Sequence, residues 1–372
     1  MKTVLYIYGN LPAYRKDFFT QLDKQARENG IGIKILYGYV VNKETKQASG
    51  DAFDAQRFET KVTNLKFLRV SRMKGLVQQV KKENPDGIIF QWNQTNLSEW
   101  GVLRYCKKQH IPYGIWGCNY TRADLIKPLA WLREQIYHPL YKNASVLIPY
   151  GTLYRDYFIK LGIKSEKIIV AQNTINVEQI VESHPFKQKG KNEAVRVLYV
   201  GAIAPQKRIE TAVLAVANLI KSGVKLEFDI VGGGNLLSLY NYIEEFDNDI
   251  SKHIRVHGAK YGKELENFFL NADVFLMPGT GGLGVNEAMA YGLPIISTLG
   301  DETIYDLMDG NGFLLQKNGD VEAQMDALKK FSLLLDEERS AMRKRSQLLI
   351  TERASLANMV KQHVEACKLL IK

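Results

Sequence analysis

Short apolar runs bounded by turn residues alternate along this chain with helix-length blocks, which restricts it to an α/β architecture built on parallel sheets. The first run, VLYIY at 4–8, stops at Gly9-Asn10-Leu11-Pro12, and a helical pattern over 17–27 leads to a second run at 31–36. Such a βαβ opening joins parallel strands through a crossover helix. Strand-like runs recur at 87–91, 113–116, 145–149 and 167–171, separated by helical blocks at 76–83, 99–108, 121–142 and 153–161. Residues 40–63 are polar and without clear periodicity, which predicts an irregular excursion or a short hairpin. A lysine-rich break, HPFKQKGKNE at 184–193, then interrupts the alternation. It restarts with strand-like runs at 195–200, 225–231, 254–257 and 274–277, and the tail from 321 to 370 is helical in pattern.

A chain of 372 residues exceeds one ordinary core, so the break reads as a linker between two domains. The expected division is 1–183, a linker at 184–193, and 194–349, with a helix at about 350–372 placed back on the first domain. The fold class follows as α/β, two Rossmann-like parallel-sheet domains facing a central cleft. No apolar run is long enough to span a bilayer. The opening MKTVLYIYGN contains tyrosines and no small-residue cleavage signal, so it reads as a buried strand rather than a leader. Cys106, Cys118 and Cys367 have no metal-like spacing, and their odd number fits a reducing cytoplasm. A net charge of +10 points to an anionic partner: nucleic acid, nucleotide or acidic membrane. No nucleic-acid-binding module accompanies it. No G-x-G-x-x-G follows the first strand, which argues against a dinucleotide-dependent dehydrogenase.

Phosphate chemistry concentrates in the second half. Residues 200–208 (VGAIAPQKR) carry a strand end into a helix start with two cations, Lys207 and Arg208, both suited to diphosphate oxygens. Gly232-Gly233-Gly234 precedes another helix, where a tight turn that touches no ligand is the favoured reading. The third stretch, MPGTGGLGVNEAMAYGLPIIS at 277–297, follows a buried strand with Gly279, Thr280, Gly281, Gly282, Leu283 and Gly284. A helix is expected to open at Asn286 and Glu287 and to close at Gly292-Leu293-Pro294. Strand, glycine loop and helix N-terminus together present unpaired amides and a dipole to an anion. Glu287 is either a dipole-favoured surface acid or a carboxylate accepting from sugar hydroxyls. In the first half, the loops after strands hold Tyr14, Arg15, Lys16, Asn93, Cys118 and Asn119, candidates for acceptor or donor-sugar contacts. A solvated helix start is an equal reading for Tyr14 and Arg15. The block 121–142 interleaves basic and aromatic residues, suiting an anionic membrane surface but still more an amphipathic helix with a solvated basic face.

Taken in order, VLYVGAIAPQKR, FDIVGGG, ADVFLMP and GGLGVNEAMAYGLPIIST resemble the nucleotide-sugar domain of the retaining, GT-B-fold glycosyltransferases of the family-4 (glycosyl transferases group 1) type. PYGIWGCN, ASVLIPYG and KIIVAQNTIN are similar to that family's acceptor-side strands. The resemblance implies transfer of a sugar from a nucleoside diphosphate to a hydroxyl of a glycan or a polyprenyl-diphosphate-linked acceptor. Retention of configuration and independence of a metal or other cofactor are implied with it. By the same resemblance Lys207 binds the donor diphosphate, Glu287 grips the ribose, and Gly201 and the loop at 279–284 face the donor. Three positions depart from the pattern: Gly279 stands where the first motif glutamate belongs, Ala202 replaces an arginine, and Cys118 or Asn119 falls where a histidine is usual. Arg208 is the expected substitute cation. The expectation is thus a cytoplasmic enzyme of surface-polysaccharide or glycolipid synthesis, peripheral on the inner membrane face. An epimerase-type nucleotide-sugar enzyme or a non-catalytic polyanion-binding protein is the alternative.

Overall fold

The structure, a computed structural model, describes residues 1–40, 52–65, 68–117, 127–187, 193–300 and 303–372. The chain divides into two units, Met1–Ile175 with Leu356–Lys372, and Asn176–Ser355.

Unit 1 is built on a seven-stranded sheet in the order β4-β3-β2-β1-β5-β6-β7. Its strands are β1 (Lys2–Tyr8), β2 (Ile31–Tyr39), β3 (Ala55–Leu65), β4 (Leu68–Met73), β5 (Gly87–Gln91), β6 (Tyr113–Trp116) and β7 (Val146–Ile148). All neighbours are parallel except the β3–β4 pair. The helices are α1 (Lys16–Glu28), α2 (Leu76–Glu83), α3 (Leu97–Gln109), α4 (Lys127–Lys142) and α5 (Thr152–Lys160). Successive side chains of a strand face opposite sides, so a sheet covered on both faces needs apolar residues at every position. In β1, Val4, Tyr6 and Tyr8 join Phe18, Phe19 and Leu22 of α1 in one core, whereas Leu5 and Ile7 join Val80, Val102 and Phe158 in the other.

One expectation for this unit holds in part, since β3 and β4 form a hairpin that is longer and later than expected, and another needs correction. Residues 55–65 form a long strand, added in parallel to β2 and paired antiparallel with β4. AQRFETKVTNL is polar because this strand lies toward the sheet edge, where a strand is not enclosed on both faces. Residues 41–51 lie outside the described residues. Conversely, 167–171 makes no ladder strand. A 3₁₀ turn occupies Ser165–Lys167, and the chain then bonds along β7 through Ile169 N–H to Leu147 O and Ala171 N–H to Pro149 O. In α4, Tyr141 is buried against Phe158 and Tyr137 packs on Trp100, so these aromatics serve the core rather than a surface. Residues 121–126 lie outside the described part.

Unit 2 has a six-stranded, all-parallel sheet in the order β10-β9-β8-β11-β12-β13. Its strands are β8 (Val195–Val200), β9 (Leu226–Val231), β10 (Ile254–Val256), β11 (Val274–Met277), β12 (Ile295–Thr298) and β13 (Gly312–Leu315). The helices run from α6 (Val177–Ser183) through α7 (Ile209–Lys221), α8 (Leu236–Glu244), α9 (Asn248–Ser251) and α10 (Gly262–Asn271) to α11 (Leu283–Ala290). They continue with α12 (Thr303–Leu307), α13 (Val321–Leu333) and α14 (Asp336–Arg353). The boundary falls at Asn176, ahead of the lysine-rich stretch, because α6 packs against α11 and α14 and so groups with unit 2. Residues 188–192 of that stretch lie outside the described part. The second crossing follows Ser355, where α15 (Leu356–Leu370) returns to unit 1 and packs on α1. No described helix is long and apolar enough to cross a membrane.

Candidate functional site

The strand order of unit 2 reverses between β8 and β11, and ligands of open α/β sheets bind outside the strand C-termini at such a switch point. Two loops meet there: 201–208 after β8, and 278–282 after β11. Their approach is very close. An ideal Cβ on Gly279 would stand 2.5 Å from Gln206 O and 2.6 Å from Lys207 O. The loops are then stitched by hydrogen bonds: Thr280 N–H and Oγ1 both donate to Gln206 O, at 3.0 and 3.1 Å. The Lys207 ammonium donates to Thr280 O at 2.6 Å. The buried Thr298 hydroxyl, at the end of β12, donates to Gly279 O at 2.7 Å.

Helix α11 begins at Leu283, not at Asn286, with Gly282 as its N-cap. Val285 N–H turns back to Gly282 O at 2.8 Å and closes the first turn early. Gly284 allows this, since a Cβ there would approach Val200 O at 2.8 Å. The helix start is therefore seated directly on the end of β8. Among the described residues, no acceptor stands opposite the backbone N–H groups of Gly281, Gly282, Leu283 and Gly284. These are the orphan donors of a helix N-terminus, and they carry its partial positive charge. Glu287 consequently lies in the second turn, outside the first-turn dipole position expected for it. It is part-buried, and loss of hydration pushes its carboxyl up to about 7.

Arg208 caps α7 with a left-handed backbone, φ 54°, one of three such non-glycine residues among those described. Its carbonyl accepts from Thr211 Oγ1 at 2.6 Å, which anchors the helix start. Its side chain is exposed, and Gly319 leaves room beside its Cβ and Cγ. Gly201 and the triglycine serve the backbone. A Cβ on Gly232 would overlap the Gly201 carbonyl, and one on Gly234 would overlap that of Ile203. Gly201 N–H donates to Val231 O, Gly232 N–H to Gly258 O, and Ile203 N–H to Gly233 O. The triglycine is thus the close-approach turn that extends the β8–β9 ladder, as the tight-turn reading expects.

In unit 1 the switch point lies between β1 and β5. Gly9, after β1, faces Asn93, after β5, with 3.7 Å from the Cβ position to Asn93 Nδ2. Asn93 Oδ1 accepts from Thr95 N–H and Oγ1, and Asn93 N–H donates to Glu99 at 2.8 Å. Glu99 is fully buried, and its other oxygen accepts from Asn96 Nδ2 at 2.9 Å. Desolvation raises its carboxyl to about 8 against those two hydrogen bonds. The sequence reading missed Glu99, although Asn96-x-x-Glu99 has the spacing of a capping box, with Asn96 as the N-cap of α3.

Tyr14 is 46% exposed, whereas Arg15 is 1% exposed, so the solvated reading fails for Arg15. Its guanidinium donates to Tyr8 Oη, Thr174 O and Asn173 Oδ1, and lies over the rings of Tyr14 and Trp116, each 5.1 Å from the centroid. Five hydrogens with neutral partners make it a core staple. Cys118 and Asn119 lie outside the described residues. No group of three or more metal-ligating side chains occurs among the described residues.

Comparison with known proteins bears on the family and the fold. Residues 181–348 match the model of the family described as glycosyl transferases group 1. A protein of Escherichia coli strain K12 named as the colanic acid biosynthesis glycosyltransferase WcaL is 26% identical over 223 residues, 57% of this chain and 53% of its own. The amylovoran biosynthesis glycosyltransferase AmsK of Erwinia amylovora is 27% identical over 192 residues, 49% of this chain and 45% of its own. The chain spans about half the length of the curated relatives it matches. The crystal structure of Anabaena HepE in complex with UDP-glucose superimposes with a TM-score of 0.67 at 14% identity, over 99% of this chain and 100% of that one. The fold is GT-B.

Proposed function

We propose that this chain, which carries a glycosyl transferases group 1 domain on a GT-B fold, moves a sugar from a nucleoside diphosphate to a hydroxyl in polysaccharide synthesis. One observation carries the reading: at the switch point of unit 2 the Lys207 ammonium and the glycine-rich N-terminus of α11, whose amides have no acceptor among the described residues, are assembled by the same pair of loops. When the glycosidic bond to the diphosphate breaks, negative charge gathers on the departing phosphate. Fixed amides and an ammonium stabilise that charge without reorganising, which is where such sites gain most of their rate. Lys207 keeps one hydrogen on the Thr280 carbonyl and donates another to a phosphate oxygen, and Arg208 supplies a second, bidentate cation. Glu287, ionised, accepts from the ribose hydroxyls.

The donor is a UDP-sugar, as in the UDP-glucose complex of Anabaena HepE, and transfer proceeds with retention and without a metal ion. The relatives are named for biosynthesis of polysaccharides, colanic acid and amylovoran, which favours a growing glycan or a lipid-linked one as acceptor. Tyr14 and Asn93, with Cys118 or Asn119, meet the acceptor or the donor sugar on the strand ends of unit 1. The protein works in the cytoplasm against the inner membrane face.

The test is a thermal-shift panel of nucleotides and nucleotide sugars, followed by nucleoside diphosphate release. A ligand at a hundred times its Kd stabilises by about 2.7 kcal/mol, well within reach of the method. One nucleoside diphosphate should stabilise the protein, and Lys207→Ala and Glu287→Ala should abolish the response. An equal response to every polyanion, erased by salt, would overturn the transferase reading.

A further inference from the structure

We infer that Gly279 is the positioning residue of the donor site: its missing side chain lets the main chain of Gln206 and Lys207 seat against the loop after β11, which fixes the Lys207 ammonium on Thr280 O. The inference rests on reading these loops as a nucleoside diphosphate site. Space, not backbone conformation, is the reason for glycine. Gly279 is absent from the left-handed residues, yet a Cβ there would lie 2.5–2.6 Å from Gln206 O and from the carbonyl carbon and oxygen of Lys207. Real Cβ atoms do not approach backbone atoms that closely, so any side chain at 279 drives the two loops apart.

What would be lost is an interlocked set of bonds. Thr280 N–H and Oγ1 converge on Gln206 O, and the Lys207 ammonium returns to Thr280 O. Lys207 N–H donates to Ala204 O at 2.8 Å, which shapes its own turn. Thr298 Oγ1 holds Gly279 O from the rigid end of β12. A lysine side chain gives up rotamer freedom when it is ordered. Here that ordering precedes ligand arrival, because the ammonium is already bonded beside residues 281–284. Gly279 touches no reacting group and acts through Lys207.

Two measurements on the full chain decide this. The first is ligand-free: acetylation of lysines by limiting acetic anhydride, with Lys207 read against the exposed Lys221 by mass spectrometry. A charge-assisted hydrogen bond of about 1.4 kcal/mol protects the amine roughly tenfold. Lys207 should therefore react about tenfold more slowly than Lys221 in the wild type, and Gly279→Ala should remove most of that protection. Thr280→Val adds no volume and deletes only the hydroxyl bond to Gln206. It should raise Lys207 labelling by about threefold at unchanged Tm, and it decides the matter if Gly279→Ala does not fold. Unchanged labelling in these variants overturns the inference.

The second measurement is a double-mutant cycle on UDP affinity. Gly279→Ala should weaken UDP binding about tenfold when Lys207 is present and less than about twofold in a Lys207→Ala background. Equal losses in both backgrounds would give Gly279 a merely structural part and overturn the positioning role. If the wild type binds no nucleotide in the panel, the transferase reading fails, while the labelling result still judges the loop lock.

Discussion

Replacing Glu287 by glutamine should stabilise the protein while weakening it as a nucleotide binder. The side chain is part-buried in the second turn of α11, and burial alone raises its carboxyl from 4.5 to about 7. The folded state therefore holds a proton that the unfolded state releases between those two values. The sign follows: with more protons bound to the native state, stability falls as pH rises from 4.5 through 7, and the full penalty persists above that. A shift of about 2.5 units at about 1.36 kcal/mol per unit gives roughly 3 kcal/mol. Glutamine has the same shape and no charge, so Glu287→Gln should match the wild type near pH 4.5 and exceed it by up to about 3 kcal/mol above pH 7. For a unit of this size that is a rise in Tm of roughly 6–12 °C. Thermal unfolding from pH 4.5 to 8.5 measures it, with hydrogen exchange in α11 assigning the change to unit 2. Affinity for a nucleoside diphosphate should fall in the same variant, because an amide accepts at one atom where a carboxylate accepts at two. A stability gap that does not change with pH, or a wild type that gains stability between pH 5 and 7, would refute the reasoning.

Three further outcomes follow from single residues. Arg208→Gly should relieve the left-handed backbone, raising the stability of unit 2 by about 1 kcal/mol in denaturant titrations while weakening diphosphate binding; a loss of stability would show that the side chain holds the loop. Gly232→Ala places a methyl on the Gly201 carbonyl and should cost about 3 kcal/mol or more, measured by Tm; a neutral result would reject the close approach of the β8 and β9 ends. Glu99→Gln keeps one acceptor for two donors, and the wild-type carboxyl titrates at about 8. The variant should therefore be less stable than wild type at pH 5 by about 1–2 kcal/mol and overtake it as pH rises toward 8, because the wild type loses stability over that range, a crossover that circular dichroism melts can follow.

Much of the fold follows from local pattern. Apolar runs such as VLYIY and VFLM can be nothing but strands of a sheet covered on both faces, and the helical blocks between them impose parallel crossovers. The glycine loop after β11 and the cations after β8 are legible for the same reason: both lie at strand ends, where chain order alone puts them near a ligand edge. What the sequence hides is long-range. Residues 55–65 leave a hairpin and an irregular excursion equally open in the sequence, because the neighbour that stabilises them, β2, supplies backbone bonds rather than an apolar enclosure. Arg15 reads as a solvated helix start, and only the convergence of Tyr8, Trp116 and the chain at 173–174 shows that it is a buried staple.

Gly279 shows where the division falls. The sequence determined that a small residue sits in a glycine-rich loop between a strand and a helix. Only the adjacency of β8 and β11, strands 73 residues apart at the Lys207–Thr280 bond, brings the Gln206 and Lys207 main chain into the volume a side chain would need. Local propensities act over a few residues along the chain, whereas steric exclusion acts between whatever the sheet order places side by side. Which loops touch, and therefore which amine meets which carbonyl, was decided by tertiary structure.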